Sequence, residues 1–150
     1  VDLKDEIMLE KYKYILSQKQ ALNEATFKIV AVYQALVLAL AAGQYTVLTT
    51  YENAPLKPVW ALSVTYMLLG MYVTVSLLIV ALLVGGIFSW KGYRKDESVI
   101  ELQVYGVGKE SIKLKSVWCW YETYLVLFVV VASGVGVFSY FACILPVFKM

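Results

Sequence analysis

Three long apolar runs alternate with shorter polar stretches along this 150-residue chain. The longest lies between Lys57 and Lys91, where no Asp, Glu, Lys or Arg interrupts the sequence. About 18 or more consecutive apolar residues without charge mark a membrane-spanning helix. Trp60 and Trp90 stand near the two ends of this run. On a helix they lie about 45 Å apart, the thickness of a bilayer with its headgroup zones. Tryptophans concentrate at those two interfaces. A second apolar run covers 27–50. A third covers 117–147 and opens on the aromatic cluster Trp118, Trp120, Tyr121 and Tyr124.

The polar stretches read differently from one another. In 1–26, Leu3, Ile7, Met8, Tyr12, Ile15, Leu16 and Leu22 fall near one side of a helix, and Lys19 interrupts that stripe. Asp2 is placed to cap this helix, with Asp5 and Glu6 in the first turn where the dipole favours acids. No Gly or Pro precedes Gly43, so the helix is expected to run straight into the first span. Residues 51–58 hold Asn53, Pro55 and Pro58 and predict a short loop. In 91–116 a charged stretch gives way to a period of two. Ile100, Leu102 and Val104 alternate with Glu101, Gln103 and Tyr105; Ile112 and Leu114 alternate with Ser111, Lys113 and Lys115; Gly106 and Gly108 lie between. That pattern predicts a β-hairpin.

The expected fold is therefore an all-α integral membrane protein forming a single membrane domain. A cytoplasmic helix (1–26) continues into the first span (27–50). An outer loop (51–58), a second span (59–90), a cytoplasmic loop carrying the β-hairpin (91–116) and a third span (117–147) follow.

Composition supports this reading. Hydrophobic residues make up 61% of the chain and charged residues 16%, against about 45–50% and about 25% in soluble domains. A chain this short has no bulk in which to hide such helices from water. The net charge of +2 and lysines clustered beside the apolar runs argue against nucleic acid as a partner. Their distribution also sets an orientation. Lys4, Lys11, Lys13, Lys19 and Lys28 precede or open the first span; Lys91, Arg94, Lys95, Lys109, Lys113 and Lys115 lie in the second loop. The first loop has only Lys57 and the tail only Lys149. The positive-inside rule then puts the N-terminus and second loop in the cytoplasm and the C-terminus outside, with a bacterial inner membrane as the expected location. The acidic, amphipathic opening VDLKDEIMLE does not read as a secretory signal peptide.

Little catalytic chemistry is visible. The chain has no histidine, the usual general base and metal ligand, and no phosphate-binding glycine loop or nucleophile motif. The expectation is a protein that is not an enzyme and carries no cofactor or metal. Cys119 and Cys143 are separated by about 36 Å along one helix, too far for a disulfide.

The candidate residues concern packing and passage instead. Ala31, Ala35, Ala39 and Gly43 recur every four residues, and Ala132 and Gly136 form a second small-residue pair. Such faces let helix backbones approach closely in lipid. Gln34, Gln44, Thr46, Thr49 and Thr50 are candidate pathway-facing groups on the first span. Glu122, early in the third span, is either an intramembrane functional carboxylate or an interfacial partner for a lysine. Tyr12, Lys13, Arg94, Lys95, Lys109 and Lys113 are candidate contacts for a cytoplasmic protein partner. Three spans are too few to enclose a polar pathway alone. The leading functional expectation is thus a self-associating membrane protein, a pore or channel-type effector controlled from its cytoplasmic face. Its architecture resembles that of membrane effectors of prokaryotic defence systems. The alternative is a non-conducting anchor or accessory subunit that recruits a cytoplasmic partner. A small secondary transporter using Glu122 ranks third.

Overall fold

The computed structural model describes residues 3–53, 58–105 and 120–149. Helix α1 runs without a break over Leu3–Asn53, as the absence of Gly and Pro before Gly43 requires. At its end, Asn53 Nδ2 donates to the Thr49 carbonyl at 2.8 Å, satisfying one of the carbonyls a helix terminus leaves open. Helix α2 runs over Pro58–Tyr105 and begins on a proline, whose missing N–H costs nothing in a first turn. Gly85 and Gly86 lie within it without ending it. Helix α3 covers Tyr121–Ser139 and passes into a π-helical turn, Tyr140–Ile144, and a 3-10 turn, Leu145–Lys149. Pro146 accounts for that ending. It has no N–H to give the carbonyl four residues back, and its ring crowds that carbonyl. The Leu145 N–H donates instead to the Tyr140 carbonyl, one residue further than in an α-helix.

Two sequence expectations need correction. Residues 91–105 are not a polar loop but the continuation of α2, and Ile100–Tyr105, expected as the first strand of a β-hairpin, is helical. Among the described residues there is no strand. The second expected strand and the intervening glycines lie outside the described residues. The alternation misled because it is short. Ile100 is buried, but Leu102 and Val104 are more than half exposed. A period of two would bring all three to one face. A helix turns residues two apart to nearly opposite sides, and Lys91 to Ser98 supply several good helix formers with no proline.

Glu6–Asn53, Val59–Val104 and Tyr121–Phe148 are each long and apolar enough to cross a membrane, which fits an integral membrane protein. Even in the most covered of the three, only 28% of the apolar window is buried. Leu38, Leu77, Phe88 and Phe138 are each about two-thirds exposed. Water does not tolerate so much continuous apolar surface, and lipid does.

The helices build two compact units, Val1–Ile29 with Leu82–Leu125, and Val30–Ala81 with Val126–Met150. In the first, α1 turns Ile15, Lys19, Leu22 and Thr26 inward and α2 turns in Leu83, Trp90, Glu97 and Ile100. In the second, α1 turns in Tyr33, Val37, Leu40 and Gln44, and α2 turns in Ala61, Thr65, Leu68 and Tyr72. Spacings of three, four and seven residues keep each set on one helical stripe.

Candidate functional site

In the unit formed by Val30–Ala81 and Val126–Met150, polar side chains that lipid would penalise meet one another. The Tyr33 and Ser133 hydroxyls lie 2.9 Å apart and share a hydrogen bond. The Tyr72 hydroxyl donates to the Ala132 carbonyl at 3.1 Å. Tyr72 reaches α3 because Gly136 has no side chain: a Cβ there would sit 2.7 Å from Tyr72 Cζ and closer still to its oxygen. Gln44, 3% exposed, donates through Nε2 to the hydroxyl of the fully buried Thr65 at 3.2 Å. The other end of that amide, Oε1, is buried and has no hydrogen-bond partner among the described residues. Gln44 also lines a cavity of about 290 Å³, with Ala41, Tyr72, Gly136 and Tyr140 among its other walls. Tyr140 opens the π-helical turn, so the irregular end of the third span forms part of the cavity wall.

The unit formed by Val1–Ile29 and Leu82–Leu125 holds a charged cluster. Lys19 Nζ pairs with Glu97 Oε2 at 2.8 Å, and Arg94 approaches the same oxygen at 3.7 Å. Both cations also lie against the Trp90 ring, Lys19 at 5.1 Å and Arg94 at 4.9 Å from its centroid, within cation–π range. Trp120 meets Trp90 edge-on at 4.4 Å. Trp90 is therefore not a free interfacial anchor but the centre of a packed cluster, whereas Trp60 stays largely exposed. Nearby, the Tyr121 hydroxyl donates to Asn23 Oδ1 at 2.8 Å, and its ring stacks on Phe27.

No protein-family model, curated protein or solved structure matches the chain.

The predicted residues separate into groups. Ala31, Ala35 and Ala39 are exposed, on the side of α1 opposite Tyr33 and Gln44, while Gly43 meets Leu68. Ala132 and Gly136 are occupied by Tyr72 of the same chain. Of the expected pathway groups, Gln34 is exposed and Gln44 is buried. Thr46 and Thr49 turn their hydroxyls back to the carbonyls of Ala42 and Tyr45. Thr50 is exposed. Glu122 is 6% exposed in the first turn of α3, where the helix dipole favours a carboxylate. Among the expected partner contacts, Lys13 and Lys95 are exposed and Tyr12 is half-buried. Arg94 is engaged with Trp90 and Glu97, and Lys109 and Lys113 lie outside the described residues. Sequence reasoning missed Lys19, Glu97 and Trp90 as a group. The signal was there: a lysine on an otherwise apolar stripe needs a partner. It also missed Tyr33, Thr65, Tyr72 and Ser133, which look ordinary in apolar runs until their neighbours are known.

Proposed function

We propose that this chain works as a homo-oligomeric membrane protein, a pore or channel-type effector governed from its cytoplasmic side. The observation that carries the reading is the exposed face of α1. Ala31, Ala35 and Ala39 stand there together, opposite the buried stripe, with Gln34 beside them. Small residues at this spacing suit a helix–helix contact, and an uncovered glutamine amide is costly in lipid. A second copy against this face supplies close backbone packing and a partner for Gln34. In this reading the lysine-rich first turns of α1 and the C-terminal part of α2 face the cytoplasm of a bacterial cell, in keeping with the lysine and arginine distribution. Exposed Lys13 and Lys95 are then available to a cytoplasmic partner.

The mass of the purified protein in nanodiscs tests the assembly. A discrete oligomer of wild type that Ala35→Leu or Ala39→Leu disperses is the expected result; a monomeric wild type sinks the proposal. Ion flux into liposomes then tests conduction, with Gln34→Leu lowering it in a pore.

A second reading has its own support. Gln44, Thr65, Tyr33, Ser133 and Tyr72 make hydrogen bonds within one chain, which leaves few polar groups to line a pathway. An assembled protein with no flux in the same liposomes would therefore favour a non-conducting anchor.

A further inference from the structure

We infer that Lys91, Arg94 and Lys95 form a docking surface for the phosphate of an anionic membrane lipid. They are the first charged residues after the uncharged run that follows Lys57. That run is long enough to cross a bilayer together with its headgroup zones, so the residues just beyond Trp90 stand at headgroup level. Three and four residues apart, the three cations span about 100° of one side of α2. Their direction matters as much as their position. Helical side chains tilt toward the N-terminus of their own helix, and α2 begins at the far end of the uncharged run. Arg94 shows that tilt: its guanidinium carbon stands 4.9 Å from the centroid of the Trp90 ring, one turn back. By the same geometry Lys91 and Lys95 lean toward the bilayer rather than out into water.

Exposure and charge balance favour an anion on this face. Lys19 holds Glu97 at 2.8 Å and keeps 16% of its side chain exposed, whereas Arg94, at 3.7 Å from the same oxygen, keeps 37%. Lys95 is exposed and Lys91 half-buried, and neither has an ion-pair partner among the described residues. Asp96 lies about 100° or more around the helix from each of the three cations, and Glu101 is about 9 Å further from the bilayer than Lys95. α1 carries no acid between Glu10 and Glu24. Phe88, 68% exposed, stands on the same side three residues before Lys91. A lipid tail lies against Phe88 while its phosphate meets the lysines and the forked donors of Arg94. A free phosphate, or an acidic protein segment in the water, leaves that ring uncovered. The surface belongs to one chain and depends neither on the assembly proposed above nor on conduction. Of the two exposed lysines open to a cytoplasmic partner, Lys95 then serves lipid and Lys13 stays available to protein.

The test places a fluorophore at Val84→Cys, on this side of α2 and one turn below Phe88, in the full-length chain with Cys119 and Cys143 replaced by Ala. The vesicles hold equal phosphatidylglycerol and phosphatidylcholine, with brominated, quenching tails on one lipid or the other. Phosphatidylglycerol is expected to be enriched at least about fivefold at the label, the worth of one basic side chain near an anionic surface. Lys91→Gln with Lys95→Gln is expected to lower the enrichment to about twofold or less, since both lose their attraction for phosphate. That pair leaves Arg94 on Trp90, so the packed cluster persists. Lys28→Gln is expected to change nothing, because Glu24 four residues earlier already offsets that charge. Four results would each overturn the inference. Equal quenching by the two lipids would leave the face to an acidic protein. Enrichment that survives the paired substitution, or an equal loss from Lys28→Gln, would remove these residues as its cause. Displacement by inorganic phosphate at constant ionic strength would point to a free anion instead of a lipid.

Discussion

Gly136 and Gly134 stand two positions apart on α3, yet side chains added there meet different surroundings. A Cβ at Gly136 collides with the Tyr72 ring, whereas one at Gly134 has nothing within 4 Å among the described residues. Gly136→Ala is therefore expected to destabilise the fold by about 1–3 kcal/mol, the usual cost of forcing atoms into filled space. Gly134→Ala should be neutral, or stabilising by up to about 1 kcal/mol through helix propensity. Unfolding of both variants in mixed micelles checks the contrast; equal losses would refute the close approach of Tyr72. A comparable ordering applies at the charged cluster. Glu97 serves two cations, so Glu97→Gln strands both and should cost about 1–3 kcal/mol. Lys19→Met leaves Arg94 in place and lays an apolar chain along the stripe, so its cost should be smaller. Trp90 fluorescence reports both changes, and a larger effect from Lys19→Met would contradict the arrangement.

At the scale of elements, the three spans were legible because charge is excluded from lipid over long uninterrupted runs, a signal that no neighbour alters. The junction between the N-terminal helix and the first span was legible for a related reason: nothing in the chain before Gly43 interrupts a helix. The stretch after Lys91 was not, because three alternating apolar residues, Ile100, Leu102 and Val104, are too few to outweigh the helix that runs into them. Burial reveals the helix, through Glu97 and Ile100, three apart on one stripe. Spin labels placed singly at positions 100, 102 and 104 should show the first protected and the other two accessible to a water-soluble or lipid-soluble quencher. Equal protection of all three would restore the hairpin. The candidate site was the least legible part, because Thr65, Tyr72 and Ser133 acquire meaning only from contacts made across long separations in the chain. Lys19 was the exception, since its position on an apolar stripe already required a counter-charge.

For the molecule as a whole, exposure has to be judged against lipid rather than water. Large exposed side chains such as Leu77 and Phe138 are then unremarkable, and the informative exposed residues are the small and polar ones. Ala31, Gln34, Ala35 and Ala39 stand out by that standard, and on them the self-association proposal rests. If it holds, Gln34→Leu should weaken the oligomer less than Ala35→Leu. The first change removes one interhelical hydrogen bond, averaging about 0.6 kcal/mol in membranes; the second pushes two backbones apart. Concentration-dependent energy transfer between labelled copies in liposomes would measure both.

The π-helical turn gives the end of α3 an unusual tolerance. Tyr140 and Leu145 are both buried, although five positions apart in an ordinary α-helix they would face different sides. The wider turn absorbs the surplus residue, as an insertion does. Excising Ala142 should therefore restore ordinary pitch while leaving Leu145 on its side of the helix and Phe148 against Tyr51, whose rings now meet edge-on at 5.0 Å. Excising Val131 has no such slack to draw on. It would rotate every later residue by about 100° and carry Ser133 away from Tyr33. A chain shortened by one residue should thus stay folded when the loss falls within this turn and fail when it falls a few turns earlier.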